Sequence, residues 1–212
     1  MGSIGIGRQG RTKTPLVAFD FDGTLSFRDS FMAFLAWRAG PARWAAGLAT
    51  LAPATLLYLV DHDRGRLKAA AARRFLRGLS RTELEAACDD FANSSLGQRL
   101  IRPDAEHCWE IWKAQGAELV IVTATPEEVV APFARRLGAD RLIGTRLAFD
   151  PQGGVTGAFS SANCRGPEKV ARLKAVYGED VRLAAAYGDT AGDREMLQLA
   201  DEPGYRVFTR RR

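Results

Sequence analysis

Apolar and polar positions along the chain follow two different periods. Short, β-prone apolar runs occur at 16–21, 118–122 and 183–187, with weaker ones at 142–147 and 205–208, and they end in polar or glycine-rich segments. Helical patterns lie between most of them. Strands alternating with helices predict a parallel sheet covered by helices on both faces. The alternation breaks after the first strand. From Asp29 to about Leu100 the sequence reads FMAFLAW, WAAGLATLAPATLLYLV, RLKAAAARRFLRGL and SRTELEAACDDFA, helix-prone and without a strand. The pattern therefore predicts a helical insertion over 29–100, closed by Pro103, between two pieces of an α/β core at 15–28 and 101–212, with a flexible tail at 1–14.

Parallel sheets bind ligands at the carboxyl ends of their strands, so the residues just past each run carry the chemistry. The first run ends in DFDGTL. Asp22-Gly23 is a favoured hairpin turn and that reading stands as one alternative. A calcium loop is excluded, because twelve positions counted from Asp20 end on Phe31 where such a loop needs a glutamate. After ELVIV comes TATPEE, in which Thr125, Pro126 and Glu128 read as cap, first-turn proline and capping-box glutamate, leaving the Thr123 hydroxyl free at the strand end. In GDTAGDREML, Thr190 and Asp193 fit a capping box, but Asp189 has no such explanation. Pro167 opens a helix in CRGPEKVARL and puts Lys169 in its first turn, the end where the helix dipole disfavours a cation. The parallel sheet brings Asp20, Asp22, Thr123, Lys169 and Asp189, from four segments, to one edge. Clustered carboxylates repel unless a divalent cation joins them, and oxygen ligands from few side chains suit magnesium.

These residues carry a resemblance. DFDGTL, TAT, Lys169 within NCRGPEK, and GDTAGD resemble, in order and across nearly the whole chain, the four motifs of the haloacid dehalogenase superfamily of aspartate-nucleophile phosphatases. The helical insertion resembles the cap of its phosphoserine-phosphatase-like branch, the subfamily IB type. The resemblance implies a doubly wound, Rossmann-like parallel sheet with an inserted α-helical cap, and a magnesium-dependent phosphomonoester hydrolase working through an aspartyl phosphate. In this scheme Asp20 attacks phosphorus in line, while Asp22 protonates the leaving oxygen and then activates water. Mg2+ is held by Asp20, the backbone carbonyl of Asp22 and Asp189, with Asp193 behind them. Thr123 and the Ala124 amide bind phosphate oxygens. A phosphomonoester dianion facing Asp20 and Asp189 carries four negative charges, which the metal and Lys169 largely offset. Gly23, on the substrate side of the site, lets the chain swing Asp22 away from the strand direction and leaves room over the metal. Thr190 stands where many relatives have Ser or Gly, and Gly192 where the phosphoserine enzymes often have Asn. Those departures bear on the substrate rather than on the chemistry.

At 212 residues and 46% hydrophobic, the chain can bury a substantial core. Three cysteines without metal-ligand spacing argue against a disulfide framework or a zinc site and fit a reducing, cytoplasmic compartment. The net charge of +5 is concentrated at the end in Arg210, Arg211 and Arg212, read as a solvated tail. No aromatic residues are interleaved with them, which argues against nucleic acid as a partner. Substrate choice falls to the insertion. Asp29 lies where phosphoserine phosphatases place an acid that meets the substrate amine, and reads equally as a helix N-cap before Ser30. The run 44–60 carries no formal charge but is broken by Gly47 and Pro53, so it reads as buried helix; the alternative is an interfacial segment of a lipid phosphatase, resembling phosphatidylglycerophosphate phosphatases, peripheral to a phospholipid membrane surface. Two readings of other classes, a phospho-accepting receiver domain and a silent membrane-associated binding protein, fit less well. A receiver has no helical insertion after its first strand, and the second leaves intact Asp20 and Asp22 without a use.

Overall fold

The computed structural model describes residues 14–61 and 64–209, and side chains outside 52–64. The tail at 1–13 and Arg210 to Arg212 lie outside the described residues, as do the side chains of most of the run 44–60. Five strands form one parallel sheet: β1 (Leu16–Phe19), β2 (Glu118–Pro126), β3 (Arg141–Thr145), β6 (Leu183–Gly188) and β7 (Ala200–Tyr205), in the order β3-β2-β1-β6-β7. The first strand is therefore central. Its side chains alternate across the sheet: Val17 and Phe19 join Leu119, Ile121, Trp109 and Phe133 in one core, while Ala18 joins Val120, Val122, Leu173 and Met196 in the other. Both faces are buried, as a parallel sheet requires. On the first face lie α5 (Pro103–Ala114) and α6 (Glu127–Leu137), where the Trp109 indole N–H donates to the Leu137 carbonyl at 3.0 Å. On the second lie α7 (Pro167–Tyr177) and the short α8 (Arg194–Leu197).

Between β1 and β2 the described chain is helical: α1 (Ser30–Asp61), which bends at Gly40, α2 (Arg64–Leu76), α3 (Arg81–Asn93) and the single turn α4 (Ser95–Gln98). Where the chain leaves and re-enters the core, the two linkers pair: Phe27 N–H donates to Leu100 O at 3.0 Å and Arg102 N–H to Leu25 O at 2.8 Å.

Three expectations change. The last strand is Ala200–Tyr205 rather than 205–208; as an edge strand it tolerates Pro203, which disguised it. The fourth run splits, with Arg141–Thr145 in the sheet and Leu147 opening a separate antiparallel hairpin, β4 (Leu147–Phe149) and β5 (Val155–Phe159). Its turn residues DPQGG are a legible signal, since the Asp150 carboxylate accepts from the Gln152 and Gly154 amides at 3.0 and 2.8 Å. Asp22-Gly23 forms no two-strand hairpin: β1 ends at Phe19 and pairs only in parallel.

Candidate active site

The register places the site. Phe19 pairs with Ile121 and Tyr187, so Asp20, Val122 and Gly188 follow side by side at the carboxyl edge of the sheet. Lys169, in the first turn of α7, reaches this edge fully buried and donates at 2.6 Å to each of three acceptors: Asp20 Oδ1, Asp193 Oδ1 and Val122 O. Burial alone would strip the ammonium of its proton, but the two carboxylates outweigh it and raise the Lys169 pKa. This resolves the unfavourable position at a helix N-terminus: the lysine serves the carboxylates. The second oxygen of Asp20 has no hydrogen-bond partner among the described residues.

Asp193 uses both oxygens. One holds Lys169; the other accepts from the Thr190 amide at 2.9 Å and hydroxyl at 2.8 Å, closing the expected capping box of a 3-10 turn at Ala191–Asp193. Burial pushes its pKa up, yet Lys169 and Thr190 prevail and hold it below the usual value. Asp20 goes the other way: burial lifts it to about 7 against the pull of Lys169, with Asp193 and Asp22 adding repulsion. Asp189 is likewise raised, by burial and then by Asp193. Oxygens of Asp20, Asp189 and Asp193 lie within 4.8 Å of one another. Three carboxylates against one ammonium leave two negative charges in excess, the electrostatic condition a divalent cation corrects. The donor set fits magnesium, with Asp20 and Asp189 offering oxygens and Asp193 committed to Lys169 and Thr190.

Asp22 is held apart from this cluster. Its Oδ1 accepts from the Ser30 amide at 2.9 Å and hydroxyl at 2.6 Å, and its Oδ2 from the Thr125 hydroxyl at 2.5 Å. Burial and then Asp29 raise its pKa, opposed by Lys68, Ser30 and Thr125. Here the expected capping box at TATPEE fails. Strand β2 continues to Pro126, which pairs with Thr145, and α6 starts at Glu127 without a side-chain cap. A hydroxyl that can donate to a carboxylate makes a stronger bond there than as an acceptor from a backbone amide. Thr123 is also not free, since its hydroxyl accepts from the Thr125 amide at 3.1 Å, but it still lines the cleft beside Ala124.

That cleft, about 70 Å³, is lined by Asp20, Asp22, Asp29, Lys68, Thr123, Ala124, Asn163, Arg165, Lys169, Thr190 and Asp193. Asp29 is the N-cap of α1 and also lines the cleft. Oδ1 caps α1 by accepting from the Met32 amide at 2.9 Å, while Oδ2 faces the Lys68 ammonium at 3.6 Å. Lys68, from α2, also donates to the Thr125 hydroxyl at 3.2 Å and stands 3.9 Å from Asp22. Sequence reasoning missed Lys68, Thr125, Ser30, Asn163 and Arg165. Lys68 is the lone lysine in an Arg- and Ala-rich helix, a faint signal; nothing local marks the others. Gly23 does not line this cleft. Its φ is +86°, and a side-chain methyl at that position would lie only 2.3 Å from Asp189 Oδ2, so the glycine is the support under that carboxylate instead.

A doubly wound α/β domain, with a buried lysine bridging a strand-end aspartate and one in the following 3-10 turn and a helical insertion over them, defines a class of hydrolases. The chain belongs to the haloacid dehalogenase-like hydrolase family, whose model matches residues 17–198, and it is an enzyme of that hydrolase class. It is 56% identical over 193 residues to protein CicA of Caulobacter vibrioides, covering 91% of this chain and 86% of that one. A solved structure from Bordetella pertussis Tohama I superposes with a TM-score of 0.74 at 24% identity, covering 91% of this chain and 89% of the other. A phospho-aspartyl intermediate analogue of phosphoserine phosphatase shares the fold at a TM-score of 0.59 and 21% identity, with 90% and 85% covered.

Proposed function

We propose that the chain is a magnesium-dependent phosphomonoesterase in which Asp20 forms an aspartyl phosphate and Asp22 moves the protons. The observation that carries this reading is the division of labour between the two carboxylates. Lys169 bonds Asp20 at 2.6 Å through one oxygen and leaves the other unbonded, whereas Asp22, two residues on, is turned away and held by Ser30 and Thr125. A nucleophile must be ionised; burial lifts Asp20 to about 7, and the Lys169 ammonium, joined by a divalent cation when one is bound, pulls it back towards the charged form. A proton carrier works best with a pKa near the operating pH, and burial raises Asp22 in that direction. Asp20, the Asp22 carbonyl and Asp189 would hold magnesium, which when bound offsets charge on the phosphoryl group. Thr123 and the Ala124 amide orient the phosphate oxygens, and Lys169 neutralises charge that builds on Asp20 and the transferred group.

Asp29 and Lys68 supply one negative and one positive group 3.6 Å apart above the cleft. The pair matches a small phosphorylated substrate carrying an ammonium and a carboxylate, which supports a phosphoserine-like class. A volume of about 70 Å³ supports the same choice over a lipid phosphate. Helices α1 to α4 then act as the cap that closes over such a substrate. The test is phosphate release across a panel of amino-acid, sugar and lipid phosphomonoesters with and without magnesium, for wild type and Asp20→Asn. Activity should need magnesium, favour the amino-acid esters and vanish in the variant. Full activity of Asp20→Asn would remove Asp20 as nucleophile, and preference for the lipid ester would replace the substrate class.

A further inference from the structure

A second cleft, about 430 Å³, opens on the other side of Gly23 and Asp189 and shares no lining residue with the catalytic one. Its walls include Thr24, Arg102, Gly188, Arg206 and Thr209. Two guanidinium groups therefore face one space. Each is anchored through Nε to a backbone carbonyl, Arg102 to Ser26 O at 3.3 Å and Arg206 to Asp189 O at 2.7 Å. Arg102 also lies over the Phe27 ring at 5.0 Å and Arg206 over the Tyr205 ring at 5.1 Å, and both attract the Asp189 carboxylate, which lines the cleft beside them; among the described residues their terminal nitrogens make no hydrogen bond. Anchoring through Nε orients the planar fork and leaves the Nη groups to bind oxyanions.

Arg206 also has a left-handed backbone, with a φ of +55°, the one non-glycine residue so placed among those described. Its amide donates to Gly188 O at 2.9 Å, which fixes the conformation. Glycine would fit that geometry without strain, so retaining a long cation there points to use of the side chain.

We propose that this cleft is a second, non-catalytic site for the phosphate group of a free small molecule, bound between Arg102 and Arg206. Two arginines with unbonded Nη groups at the walls of a cavity, rather than on a protruding surface, favour a ligand that enters over a membrane headgroup. The site lies behind Asp189 and shares no lining residue with the catalytic cleft.

Residue-resolved amide NMR of the full chain, titrated with inorganic phosphate, separates the two clefts. The amides of Thr24, Val207 and Thr209 should follow one saturable isotherm, and those of Ala124 and Asn163 another. Arg102→Gln should weaken the first at least tenfold, the loss of a charge-assisted contact, and leave the second unchanged. Arg206→Gly, which fits the left-handed backbone without strain, should do the same. That variant keeps the test sound if Arg102→Gln perturbs folding. One shared isotherm for both clefts, or affinity unchanged in both variants, would overturn the proposal. So would cosedimentation with phosphatidylglycerol vesicles that depends on Arg102 and Arg206, which would assign the cations to a bilayer.

Discussion

Replacing Gly23 with Ala tests how closely the site is built. The backbone there has a φ of +86°, which costs an L-residue roughly 1–2 kcal/mol. The new methyl would also sit 2.3 Å from Asp189 Oδ2, so the carboxylate must retreat by about 1 Å to reach ordinary contact near 3.5 Å. For a domain of this size the strain predicts a fall in melting temperature of about 2–8 °C. A misplacement of about 1 Å at a charged group of the active site costs on the order of 100-fold in rate, or about 2.8 kcal/mol. Gly153 is the control. Its φ is +84°, yet no atom lies within 4 Å of where a methyl would project, so Gly153→Ala should lose similar stability and no activity. Thermal melts and hydrolysis of an aryl phosphate at saturating magnesium measure the two quantities. If Gly23→Ala kept kcat/KM within threefold of wild type while melting like the control, Asp189 would not matter to the chemistry.

Thr125→Val removes the 2.5 Å bond to Asp22, and a hydrogen bond to a charged group is worth about 1.5–3 kcal/mol, so kcat should drop by roughly 10- to 100-fold with acid-stable phosphoprotein accumulating in quenched samples. Unchanged turnover would show that Asp22 needs no such support. Lys68→Met should slow a carboxylate-bearing phosphomonoester at least tenfold more than a neutral aryl phosphate, since it removes the cation facing Asp29; equal losses on both substrates would deny Lys68 a part in selection. Ser80→Ala breaks the capping box of α3, where the hydroxyl accepts from the Glu83 amide at 3.2 Å, and should cost about 1 kcal/mol in chemical denaturation with activity intact. Calcium in place of magnesium should inhibit, because it prefers more ligands and looser geometry, and equal turnover with calcium would count against the metal set.

What the sequence revealed of this site follows from how local each signal is. Asp20 and Asp189 sit directly after strands whose apolar runs are plain, with Asp22 and Asp193 a few residues on, so position in the chain translates into position at the sheet edge. Lys169 was legible because a cation at a helix N-terminus is electrostatically out of place and invites a reason. Thr125 misled for the opposite cause. Thr-Pro-x-Glu is a genuine helix-start pattern, and only the arrival of Asp22, 103 positions away in sequence, turns the hydroxyl to another use. Lys68 left only the faint mark of a lone lysine in its helix, because its role depends on how α2 lies over the sheet. The hairpin β4–β5 was hidden by brevity, its first strand being three residues long.

The helical insertion is fixed to the core in more places than its two linkers. The hairpin β4–β5 reaches out to it: Gly78 N–H donates to Val155 O at 2.9 Å, Val155 N–H to Leu79 O at 2.7 Å and Arg81 N–H to Gly153 O at 3.1 Å. The Arg81 guanidinium lies 3.8 Å from the Phe149 ring centroid, adding a cation–π contact at the same seam. The α2–α3 end is thus tied to a segment that follows β3, while the start of α1 is tied to Asp22 through Ser30. Further contacts cross the same boundary: Lys68 Nζ donates to the Thr125 hydroxyl at 3.2 Å, the Arg135 guanidinium pairs with Asp89, and Arg136 donates to Ala92 O at 3.2 Å. The hairpin seam consists of three backbone hydrogen bonds and a stacked arginine; the Ser30 contact is two bonds to the single carboxylate to which the proposed mechanism gives the proton transfers. In the proposed mechanism protonation of Asp22 would weaken it as an acceptor, so of the contacts made by the helical layer the Ser30 attachment is the one that the chemistry would loosen.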